Sequence, residues 1–221
     1  MLIKDWMTKD PIVVLPEASI MKAAKKMKEN NIRRLPVVDE SGKLVGIVSD
    51  RDIKEASPSK ATTLDMHELY YLLSEIKVGD IMTKKPITVR PEDTMEKAAV
   101  ILMRNHIGGL PVVDADGKVV GVVTDSDVFT VLVRITGALY GGLQFAFDLP
   151  DAQGSLKAVL DDLKAADARI VSILTSYEQS GAGRRHVYIR IKPLDGDAAN
   201  EALLKKLKDK YDLLYYARDD A

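Results

Sequence analysis

Ile3-Lys-Asp-Trp-Met-Thr-Lys-Asp-Pro-Ile-Val-Val-Leu-Pro-Glu17 is answered further along the chain by Val78-Gly-Asp-Ile-Met-Thr-Lys-Lys-Pro-Ile-Thr-Val-Arg-Pro-Glu92. The correspondence runs on without a gap, residues 3–53 against 78–128. Leu35-Pro-Val-Val-Asp39 returns as Leu110-Pro-Val-Val-Asp114, and about half of the aligned positions are identical. A unit of roughly 50 to 60 residues buries only a marginal core alone, so two copies are expected to pack together and leave symmetry-related clefts between them. Those clefts are the first place to look for function.

Within a copy, Pro16-Glu-Ala-Ser19 leads into Ile20, Ala23, Ala24 and Met27, and Met95, Ala98, Ala99 and Leu102 reproduce that stripe. The i, i+3, i+4, i+7 spacing predicts a helix with one apolar face. Leu35 to Val38 and Lys43 to Ser49 are β-branched runs joined by Asp39-Glu-Ser-Gly42, matched in the second copy by Asp114-Ala-Asp-Gly117 between its runs. Each pair reads as a β-hairpin. A second helix is expected from Asp50 and from Asp125, which gives β-α-β-β-α per copy.

Between the copies, Ser57-Pro-Ser-Lys-Ala-Thr-Thr63 has turn chemistry, and Leu64 to Ile76 carries Leu69, Leu72, Leu73 and Ile76 at helical spacing. An inserted helix capping one end of the tandem unit is expected there. After Gly137, Leu143, Phe145, Phe147 and Leu149 alternate with Gln144, Ala146 and Asp148, the pattern of a half-buried strand. Helix 155–166, strands 169–177 and 185–192, helix 198–210 and strand 213–217 follow. This β-α-β-β-α-β order is that of a ferredoxin-like sandwich. Val187, Ile189 and Ile191 should face its helices, while His186, Tyr188, Arg190 and Lys192 face away.

The charge balance of 32 Lys plus Arg against 33 Asp plus Glu argues against a general grip on nucleic acid or on an anionic membrane. With no cysteine and three scattered histidines, no metal-ligand set is expected. The start of the chain lacks a signal-like apolar stretch and no run of about 18 apolar residues occurs, so a soluble cytoplasmic protein is expected. No G-x-S-x-G, P-loop or paired nucleophile and base is present, so no catalytic residue is assigned.

Both copies end their second hairpin strand alike, in Ser49-Asp-Arg-Asp52 and Thr124-Asp-Ser-Asp127. A hydroxyl residue with an acid three positions on is a helix capping box. The same groups could bind a ligand: hydroxyl and free N–H groups at a helix start hold a phosphate, and the acid accepts the two hydroxyls of a ribose. Both readings stay open. Arg33 and Arg34 precede the Leu-Pro-Val-Val strand of the first copy, where the second has Gly108 and Gly109, so the copies are chemically unequal. Adjacent guanidinium groups suit a polyanion, and glycines give room for close approach.

The repeat resembles the CBS domain, marked by Asp-x-Met-Thr near its start, the Leu-Pro-Val-Val-Asp strand, and Gly-x-x-Ser/Thr-x-x-Asp at Gly46 to Asp52 and Gly121 to Asp127. Two copies look like a Bateman module. The resemblance implies adenosine-containing ligands (AMP, ADP or ATP, with S-adenosylmethionine or NAD as further members of the class). It implies Asp52 with Ser49 and Asp127 with Thr124 at ribose and phosphate, and Arg33 and Arg34 at the phosphates. Residues 138–221 resemble an ACT domain through Asp151-Ala-Gln-Gly154 and Leu156, although Gln153 stands where that family has Pro. This implies Asp151 and Gly154 at an amino-acid site, against the simpler reading of a turn that needs glycine. The linker and the order of domains are similar to the acetoin utilization family.

The expected organisation is an α+β chain: CBS repeat 1 over 1–57, a linker helix over 58–77, CBS repeat 2 over 78–137, and an ACT-like ferredoxin-fold domain over 138–221. The expected function is regulatory sensing of an adenine nucleotide by a homodimer. The alternative is a non-catalytic dimerisation or protein-interaction module with empty clefts.

Overall fold

The computed structural model describes residues 1–57, 71, 73–178 and 180–219. The chain divides into two compact units, Met1–Phe129 and Thr130–Ala221. The expected linker helix falls mostly outside the described residues; residues 73–75 are helical, and Leu73 and Ile76 pack against the first repeat's core.

In the first unit the repeat-one elements are β1 (Thr8–Lys9), α1 (Ile20–Glu29), β2 (Arg34–Val38), β3 (Leu44–Ser49) and α2 (Asp50–Ala56). Repeat two supplies α3 (Val78–Ile81), β4 (Thr83–Lys84), α4 (Met95–Asn105), β5 (Gly109–Val113), β6 (Val119–Thr124) and the start of α5 (Asp125–Thr136). The apolar stripes do what their spacing demands. Ile20, Ala23 and Met27 of α1 are buried, as are Met95, Ala98 and Leu102 of α4. Each helix is started by a hydroxyl: Ser19 Oγ accepts from the Lys22 N–H (3.3 Å) and Thr94 Oγ1 from the Lys97 N–H (3.2 Å). Such a cap contributes about 1 kcal/mol.

The repeats exchange their first strands. β1 pairs antiparallel with β6, Thr8 opposite Val122, and β4 pairs with β3, Thr83 opposite Ile47. The three-stranded sheets are therefore β1-β6-β5 and β2-β3-β4, each completed by the other repeat. Neither half has a finished sheet alone, so each repeat depends on the other for its third strand. Register sets the site: Arg34 lies opposite Ser49, and Gly109 opposite Thr124.

The second unit holds β7 (Gly142–Pro150), α6 (Ser155–Ala165), β8 (Ile170–Ser176), β9 (Arg184–Ile191), α7 (Asp197–Lys210) and β10 (Leu213–Asp219). Its antiparallel sheet runs β10-β7-β9-β8, the strand order of a ferredoxin-like split β-α-β. Phe145, Phe147, Val187, Ile189 and Ile191 are fully buried and share one core with Val159 and Leu163 of α6 and Leu203 and Leu207 of α7. Arg190 takes the place expected for it but is not open to solvent. It lies on the sheet face away from the helices, yet it is only 6% exposed. Its Nη1 donates to Asp219 Oδ2 (2.7 Å) and the Gly141 carbonyl (3.2 Å), and its Nη2 to Gln144 Oε1 (3.0 Å). The fork satisfies three acceptors at once, so burial of the charge is compensated.

Candidate functional site

A cleft of about 690 Å³ opens within the first unit, between the repeats. One wall is repeat one: Thr8, Asp10 and Ile12 from the exchanged strand and the segment after it, then Asn31, Arg33 and Arg34 before and at the start of β2. The opposite wall is the end of β6 and the start of α5, with Thr124 and Asp127. Four of the candidate residues thus meet in one space. Ser49 and Asp52 do not line it; they cap α2 in the other repeat. Asp151 and Gly154 belong to the other unit, in an exposed turn where Gly154 has φ +89° and no atom lies within 4 Å of where a Cβ would stand. Asp151 Oδ1 is 3.7 Å from Arg185 Nη1.

The capping geometry is formed in both repeats. Asp52 Oδ2 accepts from the Ser49 N–H and Oγ–H, both at 2.7 Å, while Ser49 Oγ accepts from the Asp52 N–H at 3.3 Å. Asp127 Oδ2 accepts from the Thr124 N–H (2.7 Å) and Oγ1–H (2.8 Å), and Thr124 Oγ1 from the Asp127 N–H (3.3 Å). One carboxylate oxygen of each acid is therefore committed to the helix start, and Oδ1 stands outside the box.

One part of the expectation is overturned by this bonding, namely free amides at the helix start. The Asp125 N–H donates to the Gly108 carbonyl (3.3 Å), the Ser126 N–H to Asp125 Oδ1 (2.8 Å), and the Asp127 N–H to Thr124 Oγ1. The first turn of α5 has no backbone N–H left over, so an anion in this cleft is met by side chains and not by helix-start amides. The cations at hand are the two arginines. Arg33 is exposed, and its charge, after the Lys54 ammonium that hydrogen-bonds to Asp50 (2.9 Å), helps to hold the Asp50 carboxyl below its ordinary range. Arg34 is half-buried and its Nη1 donates to the carbonyl of Gly108 in the other repeat.

Residue pattern alone did not single out Thr8, Asp10, Ile12 or Asn31 as lining. The folded backbone marks two of them, since Asp10 and Asn31 hold φ of 48° and 52°, and their partners Lys85 and His106 hold 50° and 52°. Left-handed backbone at a residue other than glycine costs about 1 kcal/mol or more and concentrates at functional sites. Asp and Asn tolerate it best, which fits Asp10 beside Pro11 and Asn31 at the end of α1. Among the described residues no cluster of three His, Cys, Asp or Glu could hold a metal ion, and no helix is long and apolar enough to cross a membrane.

Two β-α-β-β-α units that complete each other's sheets around an inter-repeat cleft define a tandem-repeat module. The chain belongs to the CBS domain family, whose model matches residues 3–59 and 78–134. Among solved structures it is similar to CBSX2 of Arabidopsis thaliana in complex with AMP, with 36% identity, 61% of this chain and 97% of that one covered, and a TM-score of 0.51. It is similar to the CBS domain pair of protein MJ0100 bound to 5'-methylthioadenosine and S-adenosyl-L-methionine (35%, 60% and 95%, 0.50). It is also similar to a Vibrio cholerae protein provisionally named acetoin utilization protein AcuB (29%, 63% and 96%, 0.52). Relatives that are enzymes also carry such a pair as one part of a longer chain.

Proposed function

We propose that this chain is a regulatory sensor of adenosine-containing nucleotides of the AMP, ADP and ATP class and is not itself an enzyme. The observation that carries the reading is the cleft that joins Thr124 and Asp127 of one repeat to Arg33 and Arg34 of the other. Its volume of about 690 Å³ falls within the span of roughly 300–1,000 Å³ of small-molecule sites. In this reading Asp127 Oδ1 accepts from the ribose hydroxyls while Oδ2 keeps the cap, and the arginines meet the phosphate. Ser49 and Asp52 hold the equivalent place in the second cleft. AMP, 5'-methylthioadenosine and S-adenosylmethionine on similar proteins support an adenosyl ligand here.

The second unit, read as ACT-like on its strand order and its Asp151–Gly154 turn, receives the signal and pairs two chains into a homodimer. Acetoin metabolism is the setting that the AcuB likeness supports. Transmission requires that the ligand bind two states of the module unequally. The formed capping boxes favour a second reading, an interaction module with empty clefts.

Isothermal titration of AMP, ADP, ATP, NADH and S-adenosylmethionine into the protein, Asp52→Asn and Asp127→Asn separates the two. Micromolar or tighter binding that one substitution removes supports the sensor and identifies its cleft. A folded protein that binds none of the five is an interaction module.

A further inference from the structure

Helix α5 carries most of its large apolar side chains on the outside. Of its 12 residues only Val131 is buried, while Phe129, Leu132 and Ile135 are 65%, 48% and 40% exposed. These three stand at i, i+3 and i+6, one row along the helix surface. On α4, Val100 and Met103 are likewise 41% and 67% exposed. The fold of a repeat does not demand this. Shifted back by 75 (100 − 25), Val100, Met103, Phe129 and Leu132 become Lys25, Lys28, Lys54 and Ser57. Repeat one thus gives these positions to water with three exposed lysines, and repeat two fills them with apolar side chains. Exposed apolar residues gathered on one element mark a surface that another molecule covers.

Resting on the homodimer reading above, we infer that the exposed row of α5 is the seam between two copies of this chain, which meet antiparallel across a two-fold axis at Leu132. The charges of the helix select this occupant. Asp125 and Asp127 stand in its first turn and Arg134 in its last. An antiparallel copy brings the acidic end of one helix to the basic end of the other, and sets the two helix dipoles in opposition. A two-fold seam has to be complementary to itself. An apolar row meets that condition, whereas the lysines of repeat one would face their own kind. With Leu132 on the axis, Phe129 of each copy faces Ile135 of the other, so all three side chains of the row are covered. The lysine-bearing helices of repeat one stay in water, and the pairing is unequal between the repeats. One helix row is small, at the weak end of specific interfaces, so the dimer is expected to dissociate in the micromolar range.

Sedimentation equilibrium of the full chain without ligand, at about 1 to 100 μM, tests the seam on the parent, Leu132→Glu and Lys28→Glu, with folding followed by circular dichroism. Leu132→Glu sets two carboxylates against each other on the axis and should weaken the dimer by about 100-fold or more. Lys28→Glu, on the helix of repeat one, should leave it unchanged. The chain has no cysteine of its own, so Leu132→Cys should cross-link to its counterpart in a second copy on air oxidation. Phe129→Cys should not, because at 1.5 Å per residue its two copies lie about 9 Å apart along the helices, beyond the reach of a disulfide. Leu132→Glu that dimerises like the parent, or Phe129→Cys that cross-links as readily as Leu132→Cys, overturns the seam and leaves the homodimer standing. A parent protein that is monomeric at the highest concentration overturns both. Should Leu132→Glu not fold, the cross-linking pair decides alone.

Discussion

Asp127→Asn is expected to destabilise the first unit even with no ligand present, and by an amount that the cap geometry sets. In the parent, one carboxylate oxygen accepts two hydrogen bonds, from the Thr124 N–H at 2.7 Å and its hydroxyl at 2.8 Å. Asparagine keeps an acceptor oxygen but loses the charge, and a charge-assisted bond is worth about twice a neutral one, so each bond weakens by about 0.5–1 kcal/mol. The negative charge in the first turn of the 12-residue α5 adds about 0.5 kcal/mol through the helix dipole. The expected total is about 1.5–2.5 kcal/mol. Trp6 is the chain's single tryptophan and lies in this unit, so urea unfolding followed by its fluorescence reads the right transition. With a slope of about 2 kcal/mol per molar, the midpoint falls by ~0.8–1.3 M.

Asp125→Asn is the control, because Asp125 Oδ1 accepts from the neighbouring Ser126 N–H (2.8 Å) and takes no part in the capping box, so the substitution should cost less than about 0.5 kcal/mol. Equal midpoints for the two variants, or an Asp127→Asn midpoint equal to the parent's, would show that the box does not hold the helix start. The size of the effect also bears on the titrations. A domain of ordinary stability, about 5–15 kcal/mol, stays almost wholly folded after losing 2. Lost ligand affinity in Asp127→Asn then reports the site and not unfolding.

Two expectations concern the second unit. Phe145→Ala removes a fully buried ring that lies 5.3 Å from the Tyr216 ring and 6.3 Å from that of Phe147; thermal unfolding of this unit followed by circular dichroism should show a loss of about 4 kcal/mol, and a loss below ~2 would mean that the core collapses around the gap. Asp162 Oδ2 accepts from Lys210 Nζ (2.6 Å) and the Tyr211 hydroxyl (2.5 Å), with Lys206 Nζ 3.2 Å from Oδ1, and these partners, Lys210 foremost, hold its carboxyl far below the ordinary range against the opposing effect of burial. Because its folded pKa is depressed, its contribution is present above the unfolded value near pH 4 and drains away as the pH falls below it. Asp162→Asn should therefore be less stable by about 2 kcal/mol at pH 7, with the gap to the parent narrowing at pH 3; a gap that stays constant between the two would refute the pairing.

The repeat, its helix stripes and the β-α-β-β-α-β order of the second unit could be read from the sequence because each is a periodicity within one element. Ile20, Ala23 and Met27 state their face without reference to anything distant. The strand exchange could not be read in that way. Thr8–Lys9 is two residues long, and no alternation within two residues says which sheet receives it. Arg190 shows the same limit: its outward place in the strand was legible, but its burial depends on Asp219 and Gln144, which only the folded sheet brings to it. At the cleft, the hydroxyl–acid spacing was legible as cap or ligand site, and the amides were not, since their acceptors include the Gly108 carbonyl from another strand. Gly108 and Gly109 did carry the signal of a close approach at a strand start. What approaches, a side chain from the other repeat, was beyond a reading of residues one copy at a time.

The inequality of the repeats follows from where position 34 falls. Tandem duplication tends to give two equal clefts, and for most of the module it does, since both capping boxes close with the same atoms at nearly the same distances. Near the axis that relates the copies, however, equivalent residues compete for one volume. The Arg34 side chain reaches to within 2.6 Å of where a Gly109 Cβ would be, so arginines at both places would overlap as well as repel. A large cation in one copy obliges a small residue in the other, and the cleft that gains the cation does so at the expense of its twin. A duplicated module that needs one charged and one uncharged pocket can obtain both by changing only the residues that meet at its axis.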